Sequence, residues 1–400
     1  MRINLWRGIL FVGTSSLLII YIVWWGRMIG DPAERSGTDF IALYSAGRVA
    51  QAHGFASTYD IELQQKIEQE VVGFQLAEGQ VLLYNHMPYL VPLLALVVND
   101  NYVGSFERWV LVLISIYLMG TLFFMKSLFA NGKDDTRFTL LAGTLTFFPL
   151  FISLWQGQDT AFLYLGVVFW CIGILKKQDW LISAGLALTT IRPHISIALA
   201  VPLLFRHQRA WWRSILLISI LAVISVMILN VQGIVEFVNI LRVSSEGSWF
   251  GMKPAAMLNL LGFILRIVQF PNSGTSSLIG WLIYLAGIVI ICGLWQRSNI
   301  IDGRLLGLSI LIVIVTAPHL HLHDLTLLIF PLLFVANDRI ATLSESRWAM
   351  IPLGTSLFLI IGILWDVVYF ILPYMLFIIL AWLLLYRDRS LSTTRNADTK

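Results

Sequence analysis

The sequence contains little charge, because only 12% of its 400 residues are Asp, Glu, Lys or Arg. Soluble domains contain about 25% charged residues, so this scarcity excludes an ordinary soluble protein. Hydrophobic residues make up 58% of the chain. Many apolar runs approach the roughly 20 residues that cross a bilayer; examples are residues 9–25, 109–124, 215–229 and 278–294. The composition therefore predicts an all-α membrane protein with many spans.

Cysteine is scarce as well. Cys171 and Cys292 are the only two, and both lie inside apolar runs, which excludes a disulfide framework and a cysteine-based metal site. The sequence also lacks internal repeats and low-complexity tracts. The first apolar run follows Arg2 and Arg7 and lacks a small-residue cleavage site, so we interpret it as a retained helix and not as a signal peptide.

The basic residues predict the topology, because Lys and Arg concentrate on the cytoplasmic side of membrane spans. If the N-terminus lies inside, most of the 27 Lys and Arg residues fall in inside loops and a cytoplasmic tail. The formal net charge of +4 then reflects topology, and no nucleic-acid partner is expected. The inside clusters after the N-terminus lie at residues 126–137, 176–177, 206–213, 297–304, 339–347 and 387–400.

One apolar segment, residues 88–98, is too short to cross a bilayer comfortably. If it spanned the membrane, every later basic cluster would lie outside. A re-entrant segment, which is tolerated where it lines a protein cavity, leaves these clusters inside. We therefore predict about twelve spans plus this re-entrant segment. They form one transmembrane domain, residues 1–386, before a disordered tail, residues 387–400. The alternative is that one of several short segments is not a span: 179–191, 194–206, 304–318 or 322–336.

This topology places four polar clusters on the outer face, each at the tip of a hydrophobic hairpin. Polar groups near membrane depth are costly and are functional candidates by default. The first cluster opens an acidic outer loop, residues 30–85, with predicted amphipathic helices. A second outer loop, residues 232–275, holds predicted interfacial helices at 237–241 and 257–270. The four clusters are residues 37–39, 156–159, 192–194 and 319–324.

Asp39 and Arg192 each allow two interpretations. Asp39 follows Thr38 at the start of a predicted helix, where either residue can serve as an N-cap. Its carboxylate can also act as a general base for an acceptor hydroxyl. Arg192 interrupts an apolar run, and its guanidinium can bind phosphate or pair with Asp159 or Asp324 for assembly alone.

The remaining polar side chains are ambiguous as well. Gln158 and Asp159 either form a hydrophilic turn or hydrogen-bond sugar hydroxyls. The alternating residues His319, His321 and His323 can chelate zinc, but no further Cys or Glu lies nearby. We therefore rank a phosphate or sugar contact first, a structural role second and a metal third, and we predict no metal or cofactor.

With these residues identified, the chain resembles glycosyltransferase family 87 over roughly residues 8–336. Two elements depart from the family pattern: Arg192 stands where Lys is usual, and the stretch at residues 84–88 lacks a double proline. The matching elements, in order, are Asp39-Phe40, Gly54-Phe55 with Tyr59-Asp60, Tyr84-Asn85-His86-Met87-Pro88, Gly157-Gln158, Arg192-Pro193-His194, and Thr316-Ala317-Pro318-His319 with Asp324.

The resemblance implies a GT-C-like helical bundle in the cell membrane. It also implies inverting transfer of a sugar, usually mannose, from a polyprenyl-phosphate donor to a glycolipid or glycan acceptor on the extracytoplasmic face. Asp39 is then the catalytic base. Phosphate is already a good leaving group, so cationic and polar contacts suffice to stabilise its departure. The predicted partners are Arg192, His321 and His319 for the donor phosphate, and Gln158, Asp159 and Asp324 for contacting the sugar or shaping the site.

The main alternative is a transporter or flippase of lipid-linked sugars, since many spans with polar residues suit it too. Transporters often show two related halves and charges at the midplane, whereas these clusters gather at one face and no repeat is visible. A periplasmic ligase that uses a lipid-diphosphate glycan would also need outer Arg and His, but not an early Asp.

Overall fold

The computed structural model describes residues 5–31, 34, 38–77, 79–128, 134–245, 249, 257–268, 273–339, 351–364, 374 and 377–382. Across these ranges the regular structure is helical and contains no strand, which confirms the predicted all-α class. The predicted tail, residues 387–400, lies outside the described residues, as do parts of the loop at residues 232–275.

The helices follow the apolar runs and end at the glycine, proline and polar residues between them. Short 3₁₀ helices lie at Phe55–Ser57, Pro88–Leu90 and Leu322–Leu328. The α-helices are α1 (Leu5–Gly30), α2 (Phe40–His53), α3 (Ile61–Val72), α4 (Val91–Val97), α5 (Tyr102–Leu128), α6 (Asp134–Leu145), α7 (Phe148–Gln156), α8 (Thr160–Leu175), α9 (Asp179–Thr189), α10 (Pro193–Ala200), α11 (Leu203–Arg206), α12 (Gln208–Ser245), α13 (Leu260–Ile267), α14 (Ser273–Arg297), α15 (Gly303–Thr316), α16 (Ile329–Arg339) and α17 (Ile351–Leu364).

Four helices within the described ranges are long and apolar enough to cross a membrane: most of α1, all of α5 and α12, and nearly all of α14. Seven further apolar segments of 10–17 residues include Pro88–Val97 and Thr160–Leu175. The protein is therefore a membrane protein. The total of twelve spans and the re-entrant path of residues 88–98 remain predictions.

Two helices approach unusually closely at the centre of the bundle. Helices α8 and α9 form an antiparallel hairpin, and a Cβ atom on Gly166 would lie only 2.8 Å from the Gly185 carbonyl oxygen. Small residues allow helix backbones to approach in this way inside membranes. The hairpin also packs against α5, where the Tyr164 hydroxyl lies 2.8 Å from the Thr121 hydroxyl. This tight pair carries the turns on which the polar site is built.

The long helix α12 bends at Asn230, whose φ is 54°. The Asn230 side-chain oxygen accepts hydrogen bonds from the backbone N–H groups of Gln232 and Gly233, which starts a second helical piece. In that piece the Phe237 ring lies 4.8 Å from the Tyr59 ring of the first loop. The predicted interfacial helix at 237–241 is thus part of a longer helix, and the one predicted at 257–270 is the shorter α13.

Replacement of Gly185 by Leu is expected to push α8 and α9 apart, because overpacking costs about 1–3 kcal/mol. Thermal unfolding of the detergent-solubilised protein should show a lowered midpoint. Gly293→Leu is the control, since no atom lies within 4 Å of a Cβ at this position in α14. Equal midpoints for the two variants would contradict the tight contact.

Candidate active site

All four predicted polar clusters meet in one site, and each arrives from the end of a helix. Asp39 directly precedes α2, and Gln158 and Asp159 occupy the turn between α7 and α8. Arg192 directly precedes α10, and Asp324 lies in the 3₁₀ helix Leu322–Leu328. Hydrogen bonds and ion pairs join these five side chains. Segments far apart in the sequence therefore build one continuous polar cluster.

A left-handed turn at Gly157 directs the second cluster towards the first. Gly157 has φ of 67°, a conformation that favours glycine. Its carbonyl oxygen accepts a hydrogen bond of 2.7 Å from the Trp109 indole. A Cβ atom here would lie 2.7 Å from the Phe40 Cβ, so the turn after α7 packs against the start of α2 with no space for a side chain at this position. Gln158 is thereby brought beside Asp39.

Asp39 occupies the N-cap position of α2, but its side chain makes no capping hydrogen bond. One carboxylate oxygen, Oδ2, accepts a hydrogen bond of 2.6 Å from Gln158 Nε2. The same oxygen lies 4.0 Å from His323 Nδ1, and the Asp39 side chain remains 28% exposed. Its carboxylate is therefore oriented by neighbours while it stays accessible to a substrate.

Arg192 lies between two buried carboxylates. Its Nη2 is 3.2 Å from Asp159 Oδ1, and its Nε is 3.5 Å from Asp324 Oδ1. The same Nη2 donates to Gln158 Oε1 at 3.3 Å. Both carboxylates are almost completely buried, and a buried charge is tolerated when it is paired. The pairing that we considered as an alternative to phosphate contact is thus present, and it compensates the charge of Arg192.

Asp159 is also in contact with His86, which lies in one of the family-like sequence elements but has no predicted role in the site. His86 Nδ1 lies 2.7 Å from Asp159 Oδ2 and 3.4 Å from Arg192 Nη1. Burial alone would raise the pKa of Asp159, but Arg192 and His86 outweigh it and lower this pKa to about 2. Asp159 is therefore a carboxylate at neutral pH and cannot donate a proton to its partners.

The third histidine of the HLHLH run links Asp39 with Asp324. His323 Nδ1 lies 3.1 Å from Gln156 Oε1, and its Nε2 lies 3.5 Å from Asp324 Oδ2. Asp324 also accepts a hydrogen bond of 3.1 Å from the backbone N–H of His321. The 3₁₀ helix is therefore attached to the site by the contact of His323 with Gln156 and by the ion pair of Asp324 with Arg192.

The first two histidines lie in the turn before this 3₁₀ helix, where the His319 and His321 ring centroids are 4.6 Å apart. Burial lowers the pKa of both imidazoles, to about 4 for His321. Both are thus neutral at pH 7 and offer N–H donors instead of positive charge. In the part of the chain that the structure describes, no group of three or more His, Cys, Asp or Glu residues could hold a metal ion.

Two side chains of α3 hold the segment that carries His86. Gln64 Oε1 accepts a hydrogen bond of 3.0 Å from the backbone N–H of Tyr84. One turn later, Glu68 Oε2 accepts one of 3.1 Å from the N–H of Leu82. Gln64 and Glu68 are both buried, and their i, i+4 spacing is the only signal in the sequence that relates them.

A bundle of apolar helices that collects carboxylates, imidazoles and an arginine at its helix ends has the features of a multi-span membrane enzyme. The model of glycosyltransferase family 87 matches residues 90–318. This match covers more than half of the chain, so the protein belongs to glycosyltransferase family 87. It is a membrane glycosyltransferase that takes a sugar donor and an acceptor, and this finding favours the enzyme over the transporter.

The matched region contains Gln158, Asp159 and Arg192, whereas Asp39 and His86 precede it. No curated protein and no solved structure matches the chain significantly. The contacts described above therefore connect the matched region with polar residues outside it.

Replacement of Arg192 by Gln is expected to destabilise the protein by about 3–5 kcal/mol, because it leaves Asp159 and Asp324 buried without their cation. The control is Arg213→Gln. Arg213 pairs with Asp179 at 3.2 Å, but both side chains are partly exposed, and such pairs contribute about 0–1 kcal/mol. Thermal unfolding of the two purified variants tests the difference, and similar losses would contradict the central role of Arg192.

A separate prediction concerns Glu68, whose burial raises its pKa to about 8. Between about pH 4.5 and 8 the folded protein keeps a proton on Glu68 that the unfolded chain releases, so its contribution to stability falls as pH rises. Glu68→Gln keeps an acceptor for the Leu82 N–H and removes this titration.

The variant should match the wild type near pH 4.5 and exceed its free energy of unfolding at pH 8 by more than about 1 kcal/mol. Glu70→Gln provides the control, because Glu70 is exposed on the same helix. Denaturation at pH 4.5 and at pH 8 measures the free energy of unfolding of the wild type and of both variants. A Glu68→Gln advantage that is equal at both values would rule out the proposed protonation.

Proposed function

We propose that this protein transfers a sugar, most simply mannose, from a polyprenyl-phosphate donor to a glycolipid or glycan acceptor at the extracytoplasmic face of the cell membrane. The observation that carries the proposal is the geometry of Asp39. In a chain of glycosyltransferase family 87, this carboxylate is partly exposed, receives a hydrogen bond of 2.6 Å from Gln158, and borders a cluster of imidazoles.

Asp39 acts as the general base in this proposal. The acceptor oxygen attacks the anomeric carbon, the bond from that carbon to the phosphate oxygen breaks, and polyprenyl phosphate leaves with the electron pair. Asp39 takes the proton of the acceptor hydroxyl. Attack opposite the leaving group inverts the configuration at the anomeric carbon. Gln158 holds one carboxylate oxygen, which leaves the other for the acceptor.

The donor phosphate is assigned to Arg192, His321 and His319. Because Asp159 and Asp324 compensate much of the guanidinium charge, phosphate binding depends on neutral N–H donors of the imidazoles as well as on Arg192. Preorganised donors of this kind stabilise developing negative charge in a water-poor site. Gln158 also contacts the sugar, while Asp159 and Asp324 shape the site by fixing Arg192.

The apolar exterior accounts for the lipid part of the donor. Helices α12 and α14 expose large aliphatic side chains such as Val223, Met227 and Val289, so membrane lipids and a polyprenyl chain can approach the bundle laterally. A water-soluble nucleotide sugar would gain nothing from this surface. This surface gives a membrane-borne donor access to the bundle, and the choice of that donor class follows the resemblance to glycosyltransferase family 87.

Asp39→Asn is expected to lower kcat about 10²–10⁴-fold, because this is the range that general-base catalysis contributes. The assay measures transfer from polyprenyl-phospho-mannose to a glycolipid acceptor by protein reconstituted in liposomes. Asp100→Asn is the matched control, since the Asp100 side chain is 91% exposed. Full activity of folded Asp39→Asn protein would refute the base assignment.

The wild-type protein reconstituted in the same way is used to identify the class of sugar donor. Polyprenyl-phospho-mannose, polyprenyl-phospho-glucose and a nucleotide sugar are supplied separately. Transfer from a polyprenyl phosphate alone supports the proposal, and its sugar identifies the specificity. Transfer from the nucleotide sugar alone would overturn the donor class.

A further inference from the structure

His86 is a buried imidazole with a fixed hydrogen-bonding role. Its Nδ1 lies 2.7 Å from Asp159 Oδ2, and only 8% of the residue is exposed. A carboxylate can only accept hydrogen bonds, so Nδ1 carries the hydrogen in this contact. Because Arg192 Nη1 also carries only hydrogens, its approach to 3.4 Å is a packing contact. His86 thus donates a hydrogen bond to Asp159 and packs against Arg192 at the same time.

The contacts continue from Asp159 to Asp39 without a gap. Asp159 Oδ1 lies 3.2 Å from Arg192 Nη2, and Arg192 Nη2 donates to Gln158 Oε1 at 3.3 Å. To accept this hydrogen bond, the Gln158 side chain must point its oxygen towards Arg192. Its amide nitrogen therefore faces Asp39 Oδ2, at 2.6 Å. The orientation of each group depends on the one before it.

The backbone of His86 is anchored independently of the cluster. The Tyr59 hydroxyl donates a hydrogen bond of 2.6 Å to the His86 carbonyl oxygen. Gln64 holds the N–H of Tyr84 at 3.0 Å, and the Tyr84 and His86 rings stack with centroids 5.3 Å apart. The contacts of the first loop therefore hold the imidazole beside Asp159, in addition to the hydrogen bond between His86 and Asp159.

We propose that His86 is a positioning residue that fixes the Asp39 carboxylate through Asp159, Arg192 and Gln158. The functional part of this proposal rests on the role of Asp39 given above. It assigns to the first loop a second contribution to the site, in addition to Asp39 itself. His86 transfers no proton in this proposal, so an amide that donates from the same place can replace it.

The test uses three substitutions at this position. In His86→Asn the amide nitrogen can occupy the place of Nδ1, in His86→Gln it lies further from the backbone, and in His86→Ala it is absent. The first readout is the rate at which a water-soluble carbodiimide with glycine ethyl ester modifies Asp39, measured by peptide mass spectrometry on folded protein in detergent. It requires neither donor nor acceptor.

The modification rate is expected to rise several-fold in His86→Ala and His86→Gln, because Gln158 then no longer covers Asp39 Oδ2. His86→Asn should keep the rate of the wild type. His207→Asn is the control, since His207 is also partly buried but its ring lies against Trp295, with centroids 6.5 Å apart. If His86→Ala does not fold, the comparison between His86→Asn and His86→Gln decides.

An unchanged rate in His86→Ala, or an equal rise in His86→Asn and His86→Gln, would overturn the positioning role. The second readout is transfer activity, where His86→Gln should lower kcat about tenfold with little change in the KM for the acceptor, and His86→Asn should restore kcat. Inactivity of the wild type with every polyprenyl-phosphate donor would refute the proposed function alone, because the modification experiment stands without it.

Discussion

The ion pairs of Arg192 with Asp159 and Asp324 are the interaction on which the site depends. An isolated guanidinium inside an apolar bundle is costly, and so are two isolated carboxylates. Their mutual contacts offset part of this cost and tie together the turn after α7, the start of α10 and the 3₁₀ helix. Gln158 is oriented by Arg192 and in turn orients Asp39. The arrangement of the Asp39 carboxylate thus follows from the pairing of buried charges elsewhere.

Much of this was predictable from the sequence, because the signals involved are local. The low charge and the apolar runs predict a helical membrane protein. The isolated Arg192 in an apolar stretch predicts a functional or paired residue, and both partners that we considered for it are in contact with it. The ordered short motifs predict glycosyltransferase family 87, which the match to residues 90–318 confirms. The place of Asp39 after the first helix makes it a candidate, and its role as the base stays a prediction.

Other features could not be predicted, because they depend on contacts between distant parts of the chain. His86 stands in the sequence as one polar residue beside Tyr84 and Asn85, and only the fold brings it to Asp159. Glu68 has the sequence context of an exposed helical glutamate, although it is buried against the backbone of Leu82. The number of spans is equally difficult, since several helices are shorter than a bilayer requires and apolarity alone does not separate a span from a buried helix.

The order of the charged partners along the chain has a consequence for biosynthesis. A membrane protein is inserted progressively from its N-terminus, and each helix meets lipid before the later ones exist. Asp159 precedes Arg192, so the arginine reaches the membrane when one counter-ion has already been made. Asp324 arrives only after α12, α14 and α15 have been synthesised. One carboxylate is therefore available to the arginine throughout this interval, and the site is completed only when the 3₁₀ helix before α16 has been made.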